Sequence, residues 1–197
     1  MIDFMMSVFL VTLILLLFSV RLYRLLFWFS VNSLALSVIS VESGLKFQDY
    51  GMILSGIITF LLKTLFIPLF LKRISKKHSL PRLIQPSIKL PYIVMFIPAI
   101  IVITLYLSQP LVSKVGLDAN HISAAVSSLF LSLMLIIQHK SVAPKIIGFL
   151  TMENALFMLG TTATGGMPMI VELGIFFDLL MAIIVIQLLF DREEVEA

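Results

Sequence analysis

The sequence contains no cysteine. That absence removes disulfides, thiolate zinc sites, iron–sulfur ligation and a cysteine nucleophile. Charge is also scarce: 13% of the 197 residues are Asp, Glu, Lys or Arg, and the net charge of +3 is too small for a nucleic-acid surface. Gly 9 and Pro 8 are too few for a low-complexity or collagen-like chain. His78, His121 and His139 show neither HxxxH nor HExxH spacing, which argues against a metal site. A Gly-rich phosphate loop and a GxSxG elbow are missing as well, so catalysis within this chain is not expected. What the chain does have is apolar surface. It is 60% hydrophobic with a mean hydropathy of +1.12, more than one water-soluble core could bury. This composition specifies an integral membrane protein, and redox chemistry, if any, belongs to a partner.

Apolar runs long enough to cross about 30 Å of hydrocarbon number about seven: 4–20, 25–45, 51–72, 91–112, 121–139, 144–162 and 168–190. The expected fold is therefore an all-α polytopic bundle of about seven transmembrane helices forming a single membrane domain. The first run has no basic residue before it and no small-x-small cleavage pattern after it, so it is expected to remain as a helix. Lys and Arg favour cytoplasmic loops. Arg21 and Arg24, then Lys72, Arg73, Lys76, Lys77, Arg82 and Lys89, then Lys140 and Lys145 all fall in loops on one side. That asymmetry predicts the N-terminus outside and the C-terminus inside, in the cytoplasmic (inner) cell membrane.

The polar stretch 73–90 carries Pro81 and Pro86, with Pro91 just beyond it, and divides the chain. Span three, from Met52, and span seven, from Met169, align without a gap, and Asn32-Ser-Leu-Ala-Leu is echoed by Asn154-Ala-Leu-Phe-Met. Spans one to three (1–72) and five to seven (121–190) read as a parallel three-helix repeat, with 91–112 as the connector. Equally, apolar helices can resemble each other through composition alone.

A few charged residues lie deep in the spans. Lys63, Glu153 and Asp178 fall roughly 13–18 Å below the outer surface, near the bilayer midplane. An ionised side chain facing lipid there costs at least about 2.5–3.5 kcal/mol, so these residues are expected to face the bundle or a neighbour and to find partners. Opposed effects of burial and pairing suit such groups to proton exchange, whereas a static salt bridge would only fix helix register. Glu172, six residues before Asp178, sits on another face and is either an outer stepping stone or hydrated by the adjacent loop. His139 with Lys140 forms either a cytoplasmic proton entrance or an interfacial anchor, and Glu42 is expected to be solvated. Thr59, Thr64, Asn154 and Gln187 are candidates for interhelical or water hydrogen bonds.

The stretch KIIGFLTMENALFML from Lys145, followed by MIVELGIFFDLLMAIIVIQLLF, resembles the C-terminal half of component E of hydrogenase-4-type membrane complexes. SVRLYRLLFWFSVNSLALSV and FLLKTLFIPLF fit the same family, so the resemblance covers nearly the whole chain. The last three spans of that family are similar to the K subunit of respiratory complex I and to the C subunit of multisubunit cation/proton antiporters. Of the two helix glutamates in that relative, Glu172 matches the later one. The earlier position is Leu150 here, with Glu153 three residues on and near the same face. Lys63 and Asp178 fit the component E pattern instead.

The resemblance implies a non-catalytic membrane subunit of an energy-converting complex, whose partners are antiporter-like membrane subunits and a peripheral hydrogenase arm. The nickel–iron centre and iron–sulfur clusters would reside in those partners, with no cofactor in this chain. Lys63, Glu153 and Asp178 would form a central proton relay, Glu172 an outer branch, and His139 and Lys140 an entrance. A structural scaffold, a subunit of a redox-independent cation/proton antiporter and a self-contained transporter are the other readings. Against the last, no Gly/Pro-broken midplane helices occur at matching positions; Pro68 has no counterpart in span seven.

Overall fold

The computed structural model describes residues 2–77, 87, 88, 90–115 and 119–164. The expected span 168–190, with Glu172, Asp178 and Gln187, lies outside the described residues, as does His78. Within them the chain is all-helical: α1 (Ile2–Leu17), α2 (Leu22–Phe47), α3 (Tyr50–Thr59), a π-helical segment (Phe60–Phe66), α4 (Ile67–Lys77), α5 (Leu90–Val115), α6 (Ala119–Gln138) and α7 (Val142–Thr164). Among the described residues five stretches are long and apolar enough to cross a membrane: Leu22–Phe47, Tyr50–Arg73, Pro91–Gln109, Asn120–Gln138 and Val142–Thr162. At 16 residues α1 is shorter, about 24 Å along its axis. It stops before the expected end at position 20, where the Ser19 hydroxyl bonds back to the Leu15 carbonyl and the Ser19 amide to Leu16.

Local chemistry sets the boundaries. The turn between α2 and α3 is closed by Gln48 in the left-handed conformation (φ 55°), and the Asp49 carboxylate then caps α3 by accepting from the Gly51 and Met52 amides at 2.8 and 3.4 Å. Pro91 and Pro144 fall in the first turns of α5 and α7, where a missing N–H costs nothing. Pro68 has the opposite effect inside the third span. It cannot donate to the Thr64 carbonyl, and its ring crowds that carbonyl. The helix adapts by widening just before it, and the Ile67 amide reaches back five residues to Leu62. The third span is thus irregular near its middle, a feature that hydropathy alone does not register.

Helices α1, α2, α6 and α7 form the centre, with the third span on the flank of α2 and α5 on that of α6. At one end Asp3 Oδ1 meets His121 Nε2 at 2.7 Å, and at the other Gln138 Nε2 donates to the Leu17 carbonyl at 3.0 Å. Therefore α1 runs parallel to α6, and α2 to α7. These are the pairs that the repeat reading equates, and each pair is in contact.

Between apolar helices in lipid, close backbone approach and interhelical hydrogen bonds supply cohesion that the hydrophobic effect cannot. Ser37 and Ser40 on α2 donate to the Gly56 and Met52 carbonyls of α3 at 2.8 and 2.9 Å. A Cβ on Gly56 would come within 2.7 Å of Val41 Cγ2, and one on Gly148 within 2.7 Å of Ile136 Cγ1. The Thr104 and Ser127 hydroxyls join α5 to α6.

Candidate functional site

Lys63 sits at the centre of the π segment and is 2% exposed. Its Nζ lies 3.3 Å from Glu153 Oε2 and donates to Asn154 Oδ1 at 3.0 Å. Glu153 and Asn154 are adjacent on α7 and about 100° apart around it, so they approach the ammonium from two sides. Both are buried.

From Asn154 the polar contacts continue laterally. Its Nδ2 donates to Asn32 Oδ1 at 3.2 Å and to Ser33 Oγ at 3.1 Å, both on α2. Asn32 Nδ2 in turn donates to the Phe9 carbonyl and to Thr12 Oγ1 on α1, each at 3.0 Å, and Thr12 donates to that same carbonyl at 2.8 Å. The π segment, α7, α2 and α1 are thereby tied together by one chain of polar contacts. The donor directions agree throughout: each carboxamide oxygen accepts from the Lys63 side and each NH2 donates away from it, which orients both amides. A carboxamide has no titratable proton, so the asparagines position the ammonium and the Lys63–Glu153 pair is where a proton can move.

The remaining expected site residues are elsewhere. His139 is buried just after α6, with its Nδ1 hydrogen directed to the Leu135 carbonyl at 3.0 Å. Its Nε2 is buried without a hydrogen-bond partner among the described residues. Lys140 beside it is exposed. Glu153 lies eleven residues along α7 from Val142, roughly 16 Å in depth from the α6–α7 turn, too far for direct proton transfer from His139. Glu42 is half-buried rather than solvated. Asp178 and Glu172 lie outside the described residues. No cluster of three potential metal-ligating side chains occurs among the described residues.

Thr12, Ser33 and Gln138 were not singled out by sequence reasoning, although each is a polar residue in an otherwise apolar span. Asn32 entered it only through the internal echo. The sequence reading did not single out the His121–Asp3 contact.

The fold and this site define an α-helical membrane protein, with several helices apolar enough to cross a membrane and a buried ion pair between the π segment and α7. The chain is similar to an uncharacterized protein of Mycobacterium tuberculosis, Rv0085, with 28% identity over 171 residues, covering 86% of this chain and 76% of the relative. No family model matches the chain, and no solved structure matches it.

Proposed function

We propose that this chain is a non-catalytic membrane subunit of a complex I-related hydrogenase complex, in which buried charges contribute to proton or sodium translocation coupled to electron transfer in partner subunits. The Lys63–Glu153 pair carries this reading. Charges within a span are expensive and tend to mark ion pathways, and π segments are frequent at functional sites. A proton passing from Lys63 to Glu153 leaves two neutral groups that separate at far lower electrostatic cost than the ions. Hydration changes would then alternate the pair between closed and open states, with Asp178 as the third member of the central relay, Glu172 as its outer branch, both outside the described residues, and His139 with Lys140 receiving protons through intervening water. Electron transfer falls to the partners, because this chain has no thiolate to hold a cluster.

Affinity purification of a C-terminally tagged chain from native membranes in mild detergent, followed by mass spectrometry, tests the assignment. Antiporter-like membrane subunits together with hydrogenase subunits are the expected result. Antiporter subunits alone would make it part of a redox-independent cation exchanger, and an unaccompanied folded chain would contradict the subunit reading.

A second reading, a purely structural subunit, draws on the hydrogen bonds from Asn154 through Asn32 to Thr12, which stitch four spans together whether or not a proton moves. A Lys63→Met/Glu153→Gln double variant separates the two. Restored assembly with restored ion movement supports the scaffold; restored assembly without ion movement supports the relay.

A further inference from the structure

A groove of about 690 Å³ lies between the start of α2 and the end of the third span, outside the ion-pair site. Tyr23 and Lys72 line its mouth; Leu26, Phe27, Leu65 and Leu69 line its length; Ser30 and Thr64 lie at its inner end. From Tyr23 to Ser30 it runs about 10 Å along the helix axis, against roughly 15 Å of hydrocarbon in one leaflet. Phe27, Leu65 and Leu69 are exposed, so the groove opens sideways toward the surroundings of the bundle.

Among the described residues its mouth is electrostatically one-sided. Arg21, Arg24, Lys72, Arg73, Lys140 and Lys145 are all exposed at this end of the bundle. Among the described residues the carboxylates lie elsewhere: Asp3 and Asp49 at the opposite end, Glu42 on the far half of α2, and Glu153 at the core. Lys72 has no carboxylate partner among the described residues. A cationic mouth with a phenolic hydroxyl, leading into an apolar trough between two helices, has the chemistry that holds an acidic lipid headgroup and its chain.

We propose that this groove binds one anionic phospholipid, its phosphate held between Lys72 and Tyr23 and an acyl chain lying along Leu26, Phe27, Leu65 and Leu69. Ser30 poses no obstacle to a hydrocarbon chain, because its hydroxyl is already donated to the Leu26 carbonyl at 3.0 Å. The site concerns the solvent of this subunit rather than its reaction, and it stands whichever complex the chain serves.

The test uses the full chain in nanodiscs. Trp28 is the sole tryptophan and adjoins Phe27, so Phe27→Trp with Trp28→Phe gives a single fluorophore in the trough. Brominated phosphatidylglycerol or brominated phosphatidylcholine is then titrated as a minor fraction of a phosphatidylcholine bilayer. The expected result is quenching at about fivefold lower mole fraction for the anionic lipid, the preference one lysine confers near an anionic surface. Lys72→Ala should abolish that preference and Lys72→Arg should keep it. Equal quenching by both lipids, a preference that survives Lys72→Ala, or quenching by neither lipid because protein fills the trough would each overturn the proposal. If the tryptophan exchange impairs folding, native mass spectrometry of the unmodified chain and of Lys72→Ala, released from mixed-lipid nanodiscs, reads the same difference as retained or lost phosphatidylglycerol.

Discussion

Lys63→Met takes from buried Glu153 the ammonium 3.3 Å away, and Glu153→Gln takes from buried Lys63 that carboxylate charge. Removing one partner of a buried pair costs about 3–5 kcal/mol, far more than replacing both. Each single variant should therefore lower the thermal unfolding midpoint in detergent markedly, while the Lys63→Met/Glu153→Gln double recovers most of the loss. Asn154→Leu takes an acceptor from Lys63 Nζ and two donors from α2, a loss of about 1–3 kcal/mol. Asn32→Leu should cost less, because it disturbs no charged group directly. Equal losses for the two asparagine variants would show that the lateral bonds, and not the ammonium, set the energetics.

At the scale of elements, the third span joins the bundle through two features with different consequences. Its first half packs closely on α2, where Gly56 leaves no room for a Cβ beside Val41 and the Ser37 carbonyl. Gly56→Ala should destabilise the protein by about 1–3 kcal/mol through overpacking, measured as a lowered unfolding midpoint, whereas alanine at Gly51, which would meet only the Asp49 side chain, should be far better tolerated. Its second half is shaped by Pro68 and the widened turn that carries Lys63. The hydropathy pattern located this helix and placed Lys63 well inside it, because both depend on counting residues. It could not register the π segment, which depends on how one turn accommodates a lost amide within a packed bundle. Nor could it name Asn32 and Thr12 as partners: nearly every face of these helices is apolar, so periodicity does not say which side meets a neighbour.

For the whole molecule, the basic loops gave an orientation by a statistical charge rule, and the structure adds the relative directions of the helices. The parallel arrangement of α1 and α6 rests on contacts at both ends. The contact between Asp3 and His121 carries a pH signature. The hydrogen bond from His121, followed by its charge when protonated, holds the Asp3 carboxyl below the usual carboxylate range. A carboxylate lowered in the folded state stabilises above its unfolded pKa and loses that contribution as pH falls through its folded value. The difference in unfolding midpoint between the wild type and Asp3→Asn should accordingly be fully present above the ordinary carboxylate range and vanish on acidification below it. A difference independent of pH would show that the contact is not electrostatic.

Glu153 and Lys63 are proposed to take part in moving ions. Proton and sodium uptake by inverted native vesicles, driven by the electron donor of the co-purifying complex, measures this directly for Glu153→Gln beside the wild type. With the complex assembled to wild-type levels by native gel, the account predicts loss of ion uptake in Glu153→Gln and no recovery in the Lys63→Met/Glu153→Gln double. Wild-type uptake by either assembled variant would contradict it and leave the pair as a structural tie between the π segment and α7.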